Sequence, residues 1–205
     1  MPDLSFELAL YARGLVRIAG IDEAGRGPLA GPVAAAAVIL PRGFDCEGLD
    51  DSKKISAAKR EILFLRLTTD PNIHWGVATA CHQEIDRINI LRATHLAMRR
   101  AVESLSVAPC HCLIDGLPVR DFPFPHDCIV KGDGLSLSIA AASIIAKVTR
   151  DRIMRELDRE FPQFGFAQHQ GYGTKGHLEA LRIHGPCRHH RRSFQPVAQL
   201  ALPLD

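Results

Sequence analysis

Asp22 and Glu23 stand together at the end of a short apolar run, Val16–Ile21. Asp115 closes a second such run, Leu113-Ile114, and Asp133 follows a third, Cys128-Ile129-Val130, after Lys131-Gly132. Acids at the ends of strand-like segments converge in an α/β sheet however far apart they lie in sequence, because sites in such sheets collect at strand ends. Carboxylates crowded together repel, and uncompensated they take up protons. A hard divalent cation relieves the repulsion, and an all-oxygen ligand set suits Mg2+ or Mn2+. Two such ions about 3.5–4 Å apart are a device for phosphodiester hydrolysis, one activating water and the other stabilising the leaving oxygen. Neighbours in a regular strand point to opposite faces. Asp22 and Glu23 therefore serve one site only if the chain turns there, which Ala24-Gly25 makes easy. Taken singly, each acid also reads as a turn or cap residue, Asp115-Gly116 above all; it is the set that points to a site.

Other residues suit the handling of a polyanion. Glycines on both sides of Arg26 (Gly25 and Gly27) let the backbone approach a ligand closely, and Arg26 itself can hold a phosphate. A plain connecting turn explains the glycines but not the arginine between them. Tyr172, one of two tyrosines, sits between Gly171 and Gly173, which leave its ring uncovered. Lys175, Arg182, Arg188, Arg191 and Arg192 gather late in the chain against Glu179 alone, with His189 and His190 adding donors. Such a patch binds backbone phosphates in a salt-dependent way, although a charged run is also the ordinary face that a helix shows to water. Lys53 and Lys147 can also reach a phosphate, although Lys147 also reads as a helix surface residue.

The elements that must position these groups follow from periodicity. Val16–Ile21 reads as a strand, the segment 24–32 as a glycine-rich turn, and Val33–Leu40 as a second strand. Alanine content admits a helix there, but its length and flanking prolines favour a strand. Ser56 caps a helix over Ala57–Leu67, His74–Cys81 is a strand, and Asn89–Leu105 is a helix with apolar residues at three- and four-residue steps. Two short strands end at Asp115 and Lys131. Ser138–Phe161 and Lys175–Ile183 are helices. This order predicts an α/β fold, a mixed β-sheet flanked by α-helices with a helical C-terminal part. No internal repeat or low-complexity stretch interrupts it, so residues 1–205 are expected to form one domain, with a catalytic core over about 16–194 and a flexible tail over 195–205.

Composition narrows the class. Of the 205 residues 46% are hydrophobic and 23% charged, ordinary for a water-soluble domain, and the net charge of +2 is too mild by itself to declare a nucleic-acid binder. The longest apolar run, Val33–Leu40, is far short of a membrane span. The N-terminus, with Asp3 and Glu7, does not read as a signal peptide. Six cysteines without an export signal fit free thiols in the cytoplasm. Cys110-His111-Cys112 lacks the spacing of common zinc knuckles, and Cys81, Cys128 and Cys187 form no second pair; Cys110 and Cys112 read as small apolar residues on one side of a strand. A Walker-type Gly-x-x-x-x-Gly-Lys-Ser/Thr run is absent from the sequence, which argues against a phosphate-binding NTPase.

The segments Gly20-Ile21-Asp22-Glu23-Ala24-Gly25-Arg26-Gly27-Pro28-Leu29-Ala30-Gly31-Pro32-Val33, Asp51-Ser52-Lys53-Lys54, Leu113-Ile114-Asp115-Gly116, Val130-Lys131-Gly132-Asp133, Ala141–Asp151, His169-Gln170-Gly171-Tyr172 and His189-His190-Arg191-Arg192-Ser193-Phe194 together resemble bacterial ribonuclease HII. They run in family order from about Val16 to Phe194. The resemblance implies a ribonuclease-H-like fold in which Asp22, Glu23, Asp115 and Asp133 are catalytic, metal-binding carboxylates for Mn2+ or Mg2+. It implies hydrolysis of the RNA strand of RNA–DNA hybrids and incision 5′ of single ribonucleotides in duplex DNA, leaving 5′-phosphate and 3′-hydroxyl ends. Gly25-Arg26-Gly27 matches the element that senses the ribose 2′-hydroxyl, the group that separates RNA from DNA. Tyr172 matches the tyrosine that stacks on the sugar beside the ribonucleotide. The expected working form is a monomer.

Two other readings remain in view. Ribonuclease HIII resembles this group, but usually carries an extra N-terminal domain and a lysine at the position of Arg26. A non-catalytic duplex-binding module would not need acids that repel phosphates. Separately, Gln199-Leu200-Ala201-Leu202-Pro203-Leu204 resembles the Gln-Leu-x-Leu-x-Leu/Phe peptide by which many bacterial proteins dock on the DNA sliding clamp. The same apolar tail could also pack back on its own domain.

Overall fold

The structure is a computed structural model describing residues 1–44, 48–49, 52, 55–119 and 121–200. Its elements are α1 (Ser5–Ala12), β1 (Ile18–Ala24), β2 (Val33–Ile39), α2 (Ala57–Thr69), β3 (His74–Ala80), α3 (His82–Glu103), β4 (His111–Asp115), β5 (His126–Ile129), α4 (Leu137–Glu160), α5 (Phe166–His169), α6 (Lys175–His184) and α7 (Val197–Leu200). Short 3-10 turns occupy Gly132–Gly134 and Pro162–Phe164.

The five strands form one sheet in the order β3-β2-β1-β4-β5. Strands β3, β2 and β1 pair antiparallel, whereas β1–β4 and β4–β5 are parallel. The mixed sheet expected from the sequence is therefore present. Its alternation is clearest in β2, whose seven residues are all buried. Ala36 and Val38 face α2 and α4, while Val33, Ala35, Ala37 and Ile39 face α3. A strand covered on both faces reads as a continuous apolar run, so Val33–Leu40 shows no polar–apolar alternation. Small residues let helices lie close: a Cβ on Gly20 would stand 2.1 Å from the Ser138 carbonyl carbon, so β1 and α4 touch through their backbones.

Several boundaries differ from the sequence reading. Helix α3 begins at His82 rather than Asn89, and Asn89 is a non-helical break within it (φ 67°). The Asn89 side chain accepts from the Arg92 N–H at 3.1 Å, so this residue caps the second segment, which is why the pattern reads as a start there. Helix α1 had no periodic signal. It packs Leu10 against Ile18, Leu113, Ile129 and Ile139, which draws the N-terminus into the folded unit. The tail expected to be flexible from residue 195 is instead packed at Val197, fully buried with Leu29, Met154, Phe164, Phe166 and Leu181; apolar contact wins there over the low signal of the sequence. Ala201–Leu204 of the clamp-like peptide lie outside the described residues. No helix among the described residues is long and apolar enough to cross a membrane.

Candidate active site

Parallel pairing of β1 with β4 sets Ile21 beside Ile114, which carries Asp22 and Asp115 to the same end of the sheet. Beyond β5 the chain turns through Lys131 in the left-handed region (φ 60°) and places Asp133 in a 3-10 turn. The Gly132 N–H donates to Asp115 Oδ1 at 2.7 Å and ties the two acid-bearing segments together. A Cβ on Gly132 would come within 2.6 Å of Ile139 Cδ1, so a larger residue there would have to displace the end of that side chain. Carboxylate oxygens of Asp22, Asp115 and Asp133 lie within 4.8 Å of one another, the one such cluster of potential ligands among the described residues.

Asp22 is 5% exposed. Burial drives its carboxyl well above the ordinary carboxylate range, and the charges of Glu23, Asp115 and Asp133 push it further. The Glu23 N–H, donating to Asp22 Oδ1 at 2.7 Å, opposes this only in part. Glu23 itself stands outside the three-oxygen cluster. Strand β1 runs through Ala24 without the turn that would fold both side chains onto one centre, and Glu23 Oε1 meets Arg26 Nη1 at 3.4 Å. It nevertheless lines the same cleft as Asp22.

That cleft, about 390 Å³, runs from Asp22 and Glu23 past Gly25, Arg26 and Gly27 to Tyr172, with Ser52, Ser143, Lys147 and Arg150 along its other wall. The Tyr172 ring is half exposed, and a Cβ on Gly27 would touch its edge at 3.4 Å. The Ser143 hydroxyl donates to Ser52 Oγ at 2.7 Å, which ties Ser52 to α4. Lys53 lies outside the described residues. Lys147 lines the cleft but is paired with Asp151 at 2.5 Å. Arg192 is exposed, and its backbone N–H is held by Asp86 at 2.9 Å.

Arg191 corrects the sequence reading. Rather than facing a phosphate it is fully buried, its guanidinium donating to the carbonyls of Gly31 (3.0 Å), Arg26 (2.8 Å) and Gly25 (2.6 Å). Apolar surroundings and inward-turned carbonyls leave it no path to solvent. The late basic patch is thinner than it reads, since Arg182 pairs with Glu179 and Arg188 with Glu160. Arg150, which lies in the block Ala141–Asp151, had no role in the sequence reading. This second buried guanidinium, on α4, donates to Pro32, Gln170 and Ala30 carbonyls at 3.0, 3.0 and 3.1 Å. The available signal was an arginine in the middle of an otherwise apolar helix face. Gly25 is pinned by it: with φ 95°, a Cβ there would fall 1.8 Å from Arg150 Nε.

The residues around Tyr172 are held by a histidine relay. The Cys187 N–H donates to His190 Nδ1 (3.0 Å), so His190 carries its proton on Nε2 and offers it to His177 Nε2 (3.0 Å). His177 is left with its proton on Nδ1, facing the Tyr172 carbonyl at 2.9 Å. Burial keeps both rings neutral, His190 being pulled down to about 4, with His177 beside it adding to the shift.

The family model for ribonuclease HII matches residues 19–197 of this chain. The chain belongs to the ribonuclease HII family. A ribonuclease HII of Geobacillus kaustophilus is 54% identical over 197 residues, which is 96% of this chain and 75% of that protein. Among solved structures, ribonuclease H2 from Pyrococcus horikoshii is similar with a TM-score of 0.75 at 26% identity, covering 90% of this chain and 96% of that one. The ribonuclease HII in the PCNA:RNase HII complex from Archaeoglobus fulgidus shares the fold, with a TM-score of 0.71 at 24% identity over 87% of this chain and 95% of that one. A ribonuclease HII is a ribonuclease H, an endonuclease of the hydrolase class. A relative as similar as 54% identical is a ribonuclease HII, which favours that reading over ribonuclease HIII.

Proposed function

We propose that this ribonuclease HII hydrolyses the RNA strand of RNA–DNA hybrids and incises duplex DNA 5′ of single embedded ribonucleotides. The supporting observation is the acidic triad opening into a cleft whose far end is a glycine loop and an exposed tyrosine ring. Asp22, Asp115 and Asp133, with Glu23 alongside, would hold Mn2+ or Mg2+. The donors fit: all are hard oxygens, and their mutual repulsion at a buried position is the kind a divalent cation relieves. Bound there, the cation supplies Lewis-acid activation of water and charge stabilisation at the phosphodiester.

The chain's own residues do the rest. Gly25–Gly27 and Tyr172 fix the ribonucleotide's sugar, the first against its 2′-hydroxyl and the second by stacking on the neighbouring sugar. Arg26 and Lys147 stand where phosphates would pass. Water attacks phosphorus, the P–O3′ bond breaks, and the products end in 3′-hydroxyl and 5′-phosphate. A module that only bound duplexes would gain nothing from a buried acid triad that repels phosphate. The test is cleavage of a DNA duplex carrying one ribonucleotide, with and without Mg2+ or Mn2+ and with product ends mapped. Metal-independent cleavage, or ends bearing a 2′,3′-cyclic phosphate, would overturn the reading.

The C-terminal peptide Gln199–Leu204 supports a second partner, a DNA sliding clamp. Gln199 and Leu200 end α7 and are exposed, available to a groove. Tethering raises effective concentration for an enzyme that must find rare sites, and the Archaeoglobus relative is complexed with PCNA. Titration of a bacterial clamp with the full chain and with a version ending at Ala198 tests this. Equal binding by both would overturn it.

A further inference from the structure

Arg150 and Arg191 head the largest side chains fully enclosed by this protein. Every hydrogen-bond partner shown for their guanidinium groups is a main-chain carbonyl, and six carbonyls are held in this way: Ala30, Pro32 and Gln170 by Arg150, and Gly25, Arg26 and Gly31 by Arg191. A buried cation whose hydrogen bonds go to carbonyls is costly, and Asp151 and Asp86 offset the burial of Arg150 and Arg191 only in part. Here the charges of Arg150 and Arg191 also disfavour each other. Burial lowers Arg191 to about 9 and Arg150 to about 10, so both stay charged at neutral pH and the cost persists. Apolar residues would fill the space without it, so the two arginines need a reason in the loop they grip.

Planarity of the peptide unit supplies one. In a trans peptide the C=O and the following N–H point in opposite directions. With the Gly25 and Arg26 carbonyls turned inward onto Arg191, the N–H groups of Arg26 and Gly27 are turned the other way. These residues line the cleft that leads from Asp22 to Tyr172. Two adjacent donors are thus aimed from a backbone that the glycines leave bare, and a guanidinium fork, rigid and multidentate, fixes their direction. Arg191 lies on the segment after α6, which the Arg191 N–H also ties to the Leu29 carbonyl at 2.8 Å.

We propose that Arg191, backed by Arg150, is the positioning residue for sugar recognition, orienting the Arg26 and Gly27 N–H groups toward the ribose 2′-hydroxyl. The proposal rests on the ribonucleotide-directed reading above. It places selectivity in a residue that never touches the substrate. Lysine keeps the charge at this position but offers a point donor in place of the fork, so it cannot hold three carbonyls in one geometry.

The test is Arg191→Lys in the full chain, with binding measured in EDTA so that catalysis plays no part. The probes are a DNA duplex with one ribonucleotide and the same duplex all-deoxy. The variant is expected to lose about tenfold or more of its preference for the ribonucleotide duplex while its affinity for the all-deoxy duplex stays within about twofold, roughly one hydrogen-bond pair's worth of discrimination. A merely structural role would weaken both duplexes alike. A second measurement needs no variant: in the wild-type protein the Arg26 and Gly27 amide resonances should shift with the ribonucleotide duplex and not with the all-deoxy one. An unchanged preference in Arg191→Lys, or equal amide shifts with both duplexes, overturns the proposal. If the wild-type enzyme still cleaves the ribonucleotide duplex with Mg2+, the functional reading survives that failure; if it does not cleave, both fall.

Discussion

Asp22 concentrates the electrostatics of the site. Its carboxyl is raised by burial and by three neighbouring acids. A carboxyl whose folded-state pKa lies above its unfolded value gives stability that is present at low pH and lost as pH rises. At neutral pH the charged triad is therefore a strain on the fold, one that a bound divalent cation would relieve. Addition of Mn2+ or Mg2+ at pH 7.5 is expected to raise the melting temperature, by a free energy of about 2.7 kcal/mol at a hundred times Kd, with EDTA reversing the effect. Asp115→Asn keeps an oxygen to accept the Gly132 N–H but removes a charge. It should shrink this shift and lower hydrolysis by far more than tenfold, about 1.4 kcal/mol of barrier, while duplex binding persists. A variant that retains a tenth of the activity would remove Asp115 from the metal centre. For Tyr172→Ala, cleavage at a single ribonucleotide should suffer more than cleavage of a long hybrid, by about 1–3 kcal/mol. Equal losses on the two substrates, measured as kcat/KM, would make the ring structural. At this scale the acids were readable because they fall at or just beyond apolar, strand-like runs, although β1 continues through Asp22 and Glu23 to Ala24. The task of Arg191 was not, because the sequence shows a charge without showing which way it faces.

Among the elements, the segment from α5 to α7 shows what sequence periodicity misses. Its order comes from polar contacts between residues far apart along the chain: the His190–His177–Tyr172 relay, and His169 stacked on His177 with ring centroids 4.5 Å apart. Such contacts leave no repeat to detect. They do leave a pH signature. His190 has a folded-state pKa of about 4 against 6.5 ordinarily, so as pH falls below 6.5 the unfolded chain takes up a proton that the folded one refuses. Stability is whole above 6.5 and is lost toward 4, by about 3 kcal/mol. Urea midpoints across that range should fall steeply for the wild type and less steeply for His190→Gln; parallel curves would show that the relay does not govern acid stability. Asn89 teaches a related lesson. Its capping chemistry was legible, but not the helical turn before it, in which Glu84 accepts from the Cys81 N–H at 2.9 Å and pairs with Arg100 across α3.

For the molecule as a whole, a net charge of +2 understates how local its cationic surface is. Arg182 and Arg188 are exposed but held in ion pairs and Arg191 is buried, whereas Lys175 and Arg192 are exposed with no ion pair shown among the described residues. Arg192→Ala is expected to reduce the slope of log K against log salt by about 0.9, one phosphate contact, and to weaken ribonucleotide and all-deoxy duplexes equally. An unchanged slope would place Arg192 off the duplex. The sheet and its order of elements were legible because β2, α3 and α4 each carry a long, consistent pattern. The N-terminal arm was not, because α1 is short and its purpose lies 130 residues downstream, roughly the separation of its buried acid from its partners.

That acid is Glu7. It is 1% exposed, and its Oε1 accepts from the Ser136 hydroxyl at 2.6 Å and from the Ser138 hydroxyl and N–H at 2.5 and 3.0 Å. A carboxylate there closes the N-terminal turn of α4, where the helix dipole favours negative charge. Asp3 adds a second clasp, accepting from the Leu137 N–H at 2.9 Å. The start of α4 follows Asp133 by only a few residues, so the N-terminal arm meets the middle of the chain close to an acid of the candidate site. During synthesis, α1 must wait for more than half of the chain before its partner at the start of α4 leaves the ribosome. An enzyme trimmed to start at Val16 would keep the sheet and every acid, yet its α4 start should exchange amide hydrogens faster and its hydrolysis should drop; full activity in the trimmed protein would show the arm to be mere covering.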